Sequence, residues 1–180
     1  MKIISLSNDV VISDPGQFIG QIQVTNVLPG NYHTMTKIVN GEFGKEISQL
    51  GLLHEDYFKQ PKKWNWLMGH YLKTETGRIG IFSKETYQKD TYFDAYYDDN
   101  LSWFQRICHY IFEADDKWEC YHRGVALLVG PGKNDFCVYV AKNDENQIVG
   151  FAIDLYVEPK NNDFVFKELG LRMTINEYDF

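Results

Sequence analysis

The chain has 180 residues, of which 44% are hydrophobic and 16% aromatic, with 12 Tyr, 12 Phe and 4 Trp. That length and apolar content exclude a disordered chain and point to a single domain, 1–180, that buries a core without staples. The net charge of −7 argues against direct nucleic-acid binding, which calls for a basic stripe; the densest basic group, Lys59, Lys62 and Lys63 around Pro61, reads as a solvated loop.

The start of the chain, MKIISLSNDVV, has one Lys and no apolar run long enough for a signal peptide, and no window reaches the length of a membrane span. A cytoplasmic protein with no membrane association is expected. Short apolar runs at 3–6 and 10–12 precede Asp14-Pro15-Gly16. There the Asp side chain bonds forward to backbone, Pro presets φ and Gly accepts positive φ, so a turn is expected. Residues 19–27 alternate as a strand, 28–31 form a turn, and 32–39 alternate with period two. Asn40-Gly41 signals a hairpin, and 43–54 return as a strand interrupted near Gly44 or Gly51 by a bulge.

Residues 55–73 are rich in aromatics, among them Trp64 and Trp66; the expectation is a segment covering one end of the sheet. A strand follows over 78–82 and a helical turn over 83–86. In 101–113 apolar residues recur at spacings of three and four, which predicts the main helix. Asp99 or Asn100 is the expected N-cap and Ser102 a first-turn residue.

Residues 123–156 contain three β-rich runs separated by two turn-forming clusters, which predicts a β-meander. Asn143-Asp144-Glu145-Asn146 marks a tight turn, and Phe136, Val138 and Val140 share one strand face. The run VGFAIDLYV is apolar enough to sit centrally in a sheet. Residues 164–166 add a strand, and 169–175 read as strand or short helix. The fold class is therefore α+β and strand-dominated. A mostly antiparallel twisted sheet, curved or doubled on itself, packs on the helix at 101–113.

Chemical signatures are weak. Gly130-Pro131-Gly132 is followed by a strand rather than a helix N-terminus, so it reads as a hairpin loop and not a phosphate cradle. The histidines, His33, His54, His70, His109 and His122, make none of the usual ligand spacings, and Cys120-x-His122 lacks a second pair, so no metal and no cofactor are expected. Cys108, Cys120 and Cys137 are odd in number and fit a reducing compartment, with Cys108 and Cys137 as small buried hydrophobes. No nucleophile elbow is present. Asp154 interrupts an apolar strand, as a solvent-facing or ion-paired carboxylate or as a buried one; Arg78, Arg106, Arg123 and Arg172 are its candidate partners.

The segments DPGQF, VLPGNYH, TGRIGIF, then a Tyr-Tyr followed by a helix bearing WFQRIC, then GVALLVGPGKNDFCVYV, occur in an order that resembles an uncharacterised family of small bacterial and bacteriophage proteins. The resemblance spans about 10–155. It departs at 132–136, where a Gly-Asp-Gly-x-Tyr loop is replaced by Gly-Lys-Asn-Asp-Phe, and at Arg78, which stands for a Gln. It implies a β-rich fold and a phage or bacterial origin, and it brings no activity.

Two functions follow. The first is a non-enzymatic, acidic binding protein that contacts a host or phage protein through an aromatic and acidic surface: Trp64, Trp66, Tyr92, Asp94, Tyr96, Tyr97, Asp98 and Asp99. The alternative is a small-molecule-binding or hydrolytic domain whose pocket, at a sheet end, uses His54, Arg123 and Asp154.

Overall fold

The computed structural model describes residues 1–16, 21–41, 44–58, 65–89, 102–114, 118–121, 123–129, 135–155, 163–166 and 171–176. These form thirteen strands and two helices. The strands are β1 (Lys2–Leu6), β2 (Val10–Ser13), β3 (Ile22–Val24), β4 (Gly30–Gly41), β5 (Gly44–His54), β6 (Asn65–Lys73), β7 (Arg78–Ser83), β8 (Trp118–Tyr121), β9 (Gly124–Leu128), β10 (Asp135–Lys142), β11 (Ile148–Asp154), β12 (Asp163–Phe166) and β13 (Leu171–Asn176). The helices are α1 (Glu55–Phe58) and α2 (Trp103–Glu113). The strand-dominated α+β architecture expected from the sequence is present.

The strands divide into two sheets. One has eight strands in the order β1-β4-β5-β11-β10-β6-β13-β12, the other five in the order β3-β2-β7-β9-β8. Every strand pairing is antiparallel except β13 with β6. Alternation decides what lies between the sheets. Ile4, Leu6, Tyr32, Leu50, Leu52, Phe136, Val138, Val140, Phe151 and Ile153 of the larger sheet pack with Val10, Ile12, Ile79, Ile81, Val125 and Leu127 of the smaller one. The far face of the larger sheet carries Met35, Leu53, Trp66, Ala141 and Ala152, against which Tyr57 and Phe58 of α1 pack. The far face of the smaller sheet carries Phe82 and Ala126, and α2 lies on it through Trp103, Ile107 and Ile111.

β11 is central, between β5 and β10, and buried along almost all its length, as its continuous apolar run requires. The β10–β11 connection is the tight turn expected at 143–146. Asn143 Oδ1 accepts the Gln147 N–H at 2.8 Å, and Asn146 takes φ 62°, a conformation Asn tolerates. The pairing shifts between Ala141 and Lys142, so that Ile148 joins the inter-sheet core while Val149 joins the outer face.

Four expectations are corrected. The run at 123–156 is not one meander: β9 pairs with β7 and β8 in the smaller sheet, whereas β10 pairs with β6 and β11 in the larger. β9 and β10 are therefore not a hairpin pair; the expected loop at 130–134 lies outside the described residues. The bulge in the β4–β5 hairpin falls at Ser48 and not at Gly44 or Gly51; Lys37 pairs with Gln49 and Ile38 with Ile47. Ser48 stays in place because its Oγ donates to Lys37 O at 3.1 Å and its carbonyl accepts the Leu155 N–H at 2.9 Å.

Residues 65–73 do not cover a sheet end but form β6, bonded to β10 on one side and β13 on the other. An extra residue at Gly69, where the β6–β10 register shifts, breaks the period of two that would have marked the strand. The N-cap of α2 is Ser102, whose Oγ accepts the Gln105 N–H at 3.3 Å while Gln105 Oε1 accepts the Ser102 N–H at 2.8 Å. This reciprocal pair satisfies the helix start. Asp99 and Asn100 lie outside the described residues.

Candidate functional site

The sequence marks eight interface residues and three pocket residues. Trp64, Tyr92, Asp94, Tyr96, Tyr97, Asp98 and Asp99 lie outside the described residues. Trp66 is 0% exposed and is part of the outer-face cluster with Leu53 and Met35, so it is an interior residue and not a contact anchor.

His54 ends β5 and is buried, with its ring edge-on to Tyr32 at 5.2 Å between centroids. The Asp56 N–H points at Nδ1 at 3.3 Å, and Nε2 faces Pro29 O at 3.4 Å. An Nδ1 that accepts leaves the ring proton on Nε2, directed at the carbonyl. A Cβ on Gly30 would run into His54 Nε2, and Gly30 itself has φ 149°, so glycine is required where the ring seats against the turn. The side chain thus ties the 28–31 turn to α1. Beside it, Tyr32 is fully buried; its hydroxyl donates to Leu28 O at 2.7 Å and lies 3.2 Å from Ile148 O. Burial, followed by the neighbouring Tyr57, pushes its phenol far above the usual range.

Asp154 ends β11, opposite Cys137 on β10 and Gln49 on β5. His54 and Gln49 are five positions apart on β5, which separates Asp154 from His54 by roughly 17 Å along the strand. Arg123 lies beside the smaller sheet. It precedes β9, its carbonyl accepts the Ser83 N–H at 2.8 Å, and its guanidinium is ion-paired with Glu85. The structure therefore does not bring these three together.

One polar centre was not marked as a site. Asp14 is 1% exposed. Its Oδ1 accepts from Gly16 N at 2.9 Å and from Thr76 Oγ1 at 2.5 Å, and its Oδ2 accepts from Glu75 N at 3.0 Å and Thr76 N at 2.7 Å. The forward bond to Gly16 is the expected turn. The three from residues 75 and 76 join the end of β2 to the β6–β7 connection, and the sequence carries no sign of them. Arg78 donates to Thr76 O at 3.0 Å and lies over the Phe104 ring at 5.7 Å, so α2 is attached to the same corner.

The cysteines are free thiols, each half-buried, so Cys108 and Cys137 are not the fully buried residues expected. Burial raises all three; Cys120 is pushed up to about 11, with a Thr34 hydrogen bond acting in the opposite direction. Such thiols are poor nucleophiles at neutral pH. Among the described residues no group of three His, Cys, Asp or Glu side chains could hold a metal ion, and no helix is long and apolar enough to cross a membrane.

No protein family, no curated protein and no solved structure matches this chain.

Proposed function

We propose that this is a non-enzymatic, acidic binding protein that works in the cytoplasm by contact with another protein, and that it is of bacteriophage or bacterial origin, as the resemblance implies. One observation carries the choice over the alternative pocket: His54, Arg123 and Asp154 stand in three different places. Both ring nitrogens of His54 face backbone groups, and Arg123 is paired with Glu85. General acid–base or nucleophilic chemistry needs such groups within hydrogen-bond reach of one reacting atom. Contact with a partner needs only surface, and this chain combines a charge of −7 with apolar side chains in the open. Phe112 is 75% exposed on α2 and Tyr71 63% exposed on β6. An acidic surface favours a basic partner.

The test is affinity capture from a bacterial lysate with the whole chain, a Tyr96→Ala/Tyr97→Ala variant and a Tyr71→Ala/Phe112→Ala variant. Recovery of one protein by the wild type, lost with the first variant, supports the surface at 92–99; loss with the second places the contact on β6 or α2. Recovery of no specific protein, or equal recovery with all three, overturns the reading.

A further inference from the structure

We propose that His54 is a proton-operated clamp on α1, holding that turn down over the outer face of the larger sheet when neutral and releasing it when protonated. His54 immediately precedes α1 and caps it: the Asp56 N–H, one of the orphan donors of the turn, ends on Nδ1 at 3.3 Å. A neutral imidazole can accept there; an imidazolium carries hydrogen on both nitrogens and cannot. Proton uptake therefore removes the acceptor. The new Nδ1–H then faces the Asp56 carboxylate, whose Oδ2 already lies 3.6 Å away. The ring would trade a backbone bond for a side-chain one and pull Asp56 out of the turn.

The surroundings let this change be felt. His54 has a side-chain exposure of 5%, so a cation there must find a partner or open the site. Among the described residues its titratable neighbours are Tyr32 from β4 at 5.2 Å, Tyr57 from α1 at 6.1 Å, and the Asp56 carboxylate; Glu55 is adjacent in sequence, with its Oε2 accepting from Asn31 Nδ2 at 3.3 Å. A second histidine touches α1. His33 stacks on Phe58 at 4.0 Å, and charging it would strengthen that contact, opposing release. What α1 covers is apolar: Tyr57 and Phe58 pack on the cluster of Met35, Leu53, Trp66, Ala141, Val149 and Ala152. Acid release would thus uncover an apolar sheet face.

Amide exchange and imidazole NMR on the full chain, between about pH 8 and about pH 5, test this. If a proton is taken up on Nδ1 as pH falls, the protection factor of the Asp56 amide should fall roughly fivefold, the equivalent of one lost cap, and the fluorescence of an apolar-surface dye should rise with the same midpoint. His54→Asn keeps an acceptor at the position of Nδ1 and cannot titrate in this range; it should hold Asp56 protection constant. His33→Phe keeps the stack and should leave the transition in place. The clamp is overturned if His54 takes up a proton in the folded protein with no change at Asp56 to Phe58, if it stays neutral until the whole chain unfolds, or if His33→Phe abolishes the transition.

Discussion

A carboxylate sealed from solvent persists only while its donors stay in place, and Asp14 has four of them. Replacing it with Ala would leave three backbone N–H groups without acceptors, and each buried orphan costs about 1–3 kcal/mol. Asp14→Ala should therefore lower unfolding free energy by roughly 3 kcal/mol or more, and Asp14→Asn, which swaps one acceptor for a donor, by less. Denaturant titration followed by tryptophan fluorescence checks this; a loss no larger than that of an exposed surface substitution would show that the corner is not closed as described. Half of this was legible. Asp14-Pro15-Gly16 announces a turn by its own chemistry, and the Gly16 bond is that turn. The other half depends on Thr76, 62 positions away, and local spacing carries no trace of such a meeting. A similar pairing at residue scale involves Phe82. Its ring lies across two neighbouring strands at Gly80 and Gly124; a Cβ on Gly124 would stand 2.5 Å from Phe82 Cδ1 and 2.9 Å from Ile81 O, and one on Gly80 would also strike the ring. Gly124→Ala is expected to cost about 1–3 kcal/mol by overpacking. The Phe82→Leu background should recover part of that loss in a thermal melt.

At the scale of elements, legibility followed how much each segment depends on its neighbours. α2 was readable because its apolar spacing and its start are local. Only the cap differs from the expectation: Ser102 and Gln105 stand at the capping-box spacing and close the helix start. Ser102→Ala should destabilise the chain by about 1 kcal/mol, with amide protection lost first in the opening turn of α2; unchanged protection at Gln105 would exclude the box. β4 and β5 were readable from alternation and from Asn40-Gly41. β6 was not: the added residue at Gly69 shifts its phase midway, so that Trp66 and Tyr71 lie on the same outer face at odd spacing. The candidate site suffered for the same reason. Trp66 reads as a surface anchor on a segment that covers a sheet end, and it is a core residue because that segment is a strand flanked on both sides. Asp154 reads as a carboxylate in an apolar strand and Arg123 as a candidate partner for it, but which polar residues meet, His54 among them, is decided by strand order, which no short window contains.

At the scale of the whole molecule, the two sheets are joined across a core that also holds titratable groups. Tyr32 lies in that core and Cys120 packs against it. Lys2 bridges the sheets beside them, contacting Glu119 at 2.5 Å and lying over Trp118 at 4.6 Å. Thr34 is part of the same seam, donating to Lys2 O at 2.8 Å and lying 3.9 Å from Cys120 Sγ. Burial raises the Cys120 thiol from 9.0 to about 11 and raises the Tyr32 phenol in the same direction. A raised value means that the folded state holds the proton more tightly than the unfolded chain does. That contribution to stability is complete below the unfolded value and is lost as pH rises through the folded one. For Cys120 the window runs from 9.0 to about 11, and the loss across it is on the order of 2 kcal/mol. Cys108 and Cys137 are raised as well and add to it. Unfolding free energy measured by denaturant titration should therefore decline steadily above pH 9.0, the unperturbed thiol value. Cys120→Ala should be somewhat less stable near neutrality and yet lose less over the same interval, which separates Cys120 from the other thiols. Tyrosinate absorbance supplies the second check. Since Tyr32 sits between the sheets with its hydroxyl on two carbonyls, one tyrosine should resist ionisation until the sheets part, and it should then ionise together with the loss of tryptophan signal.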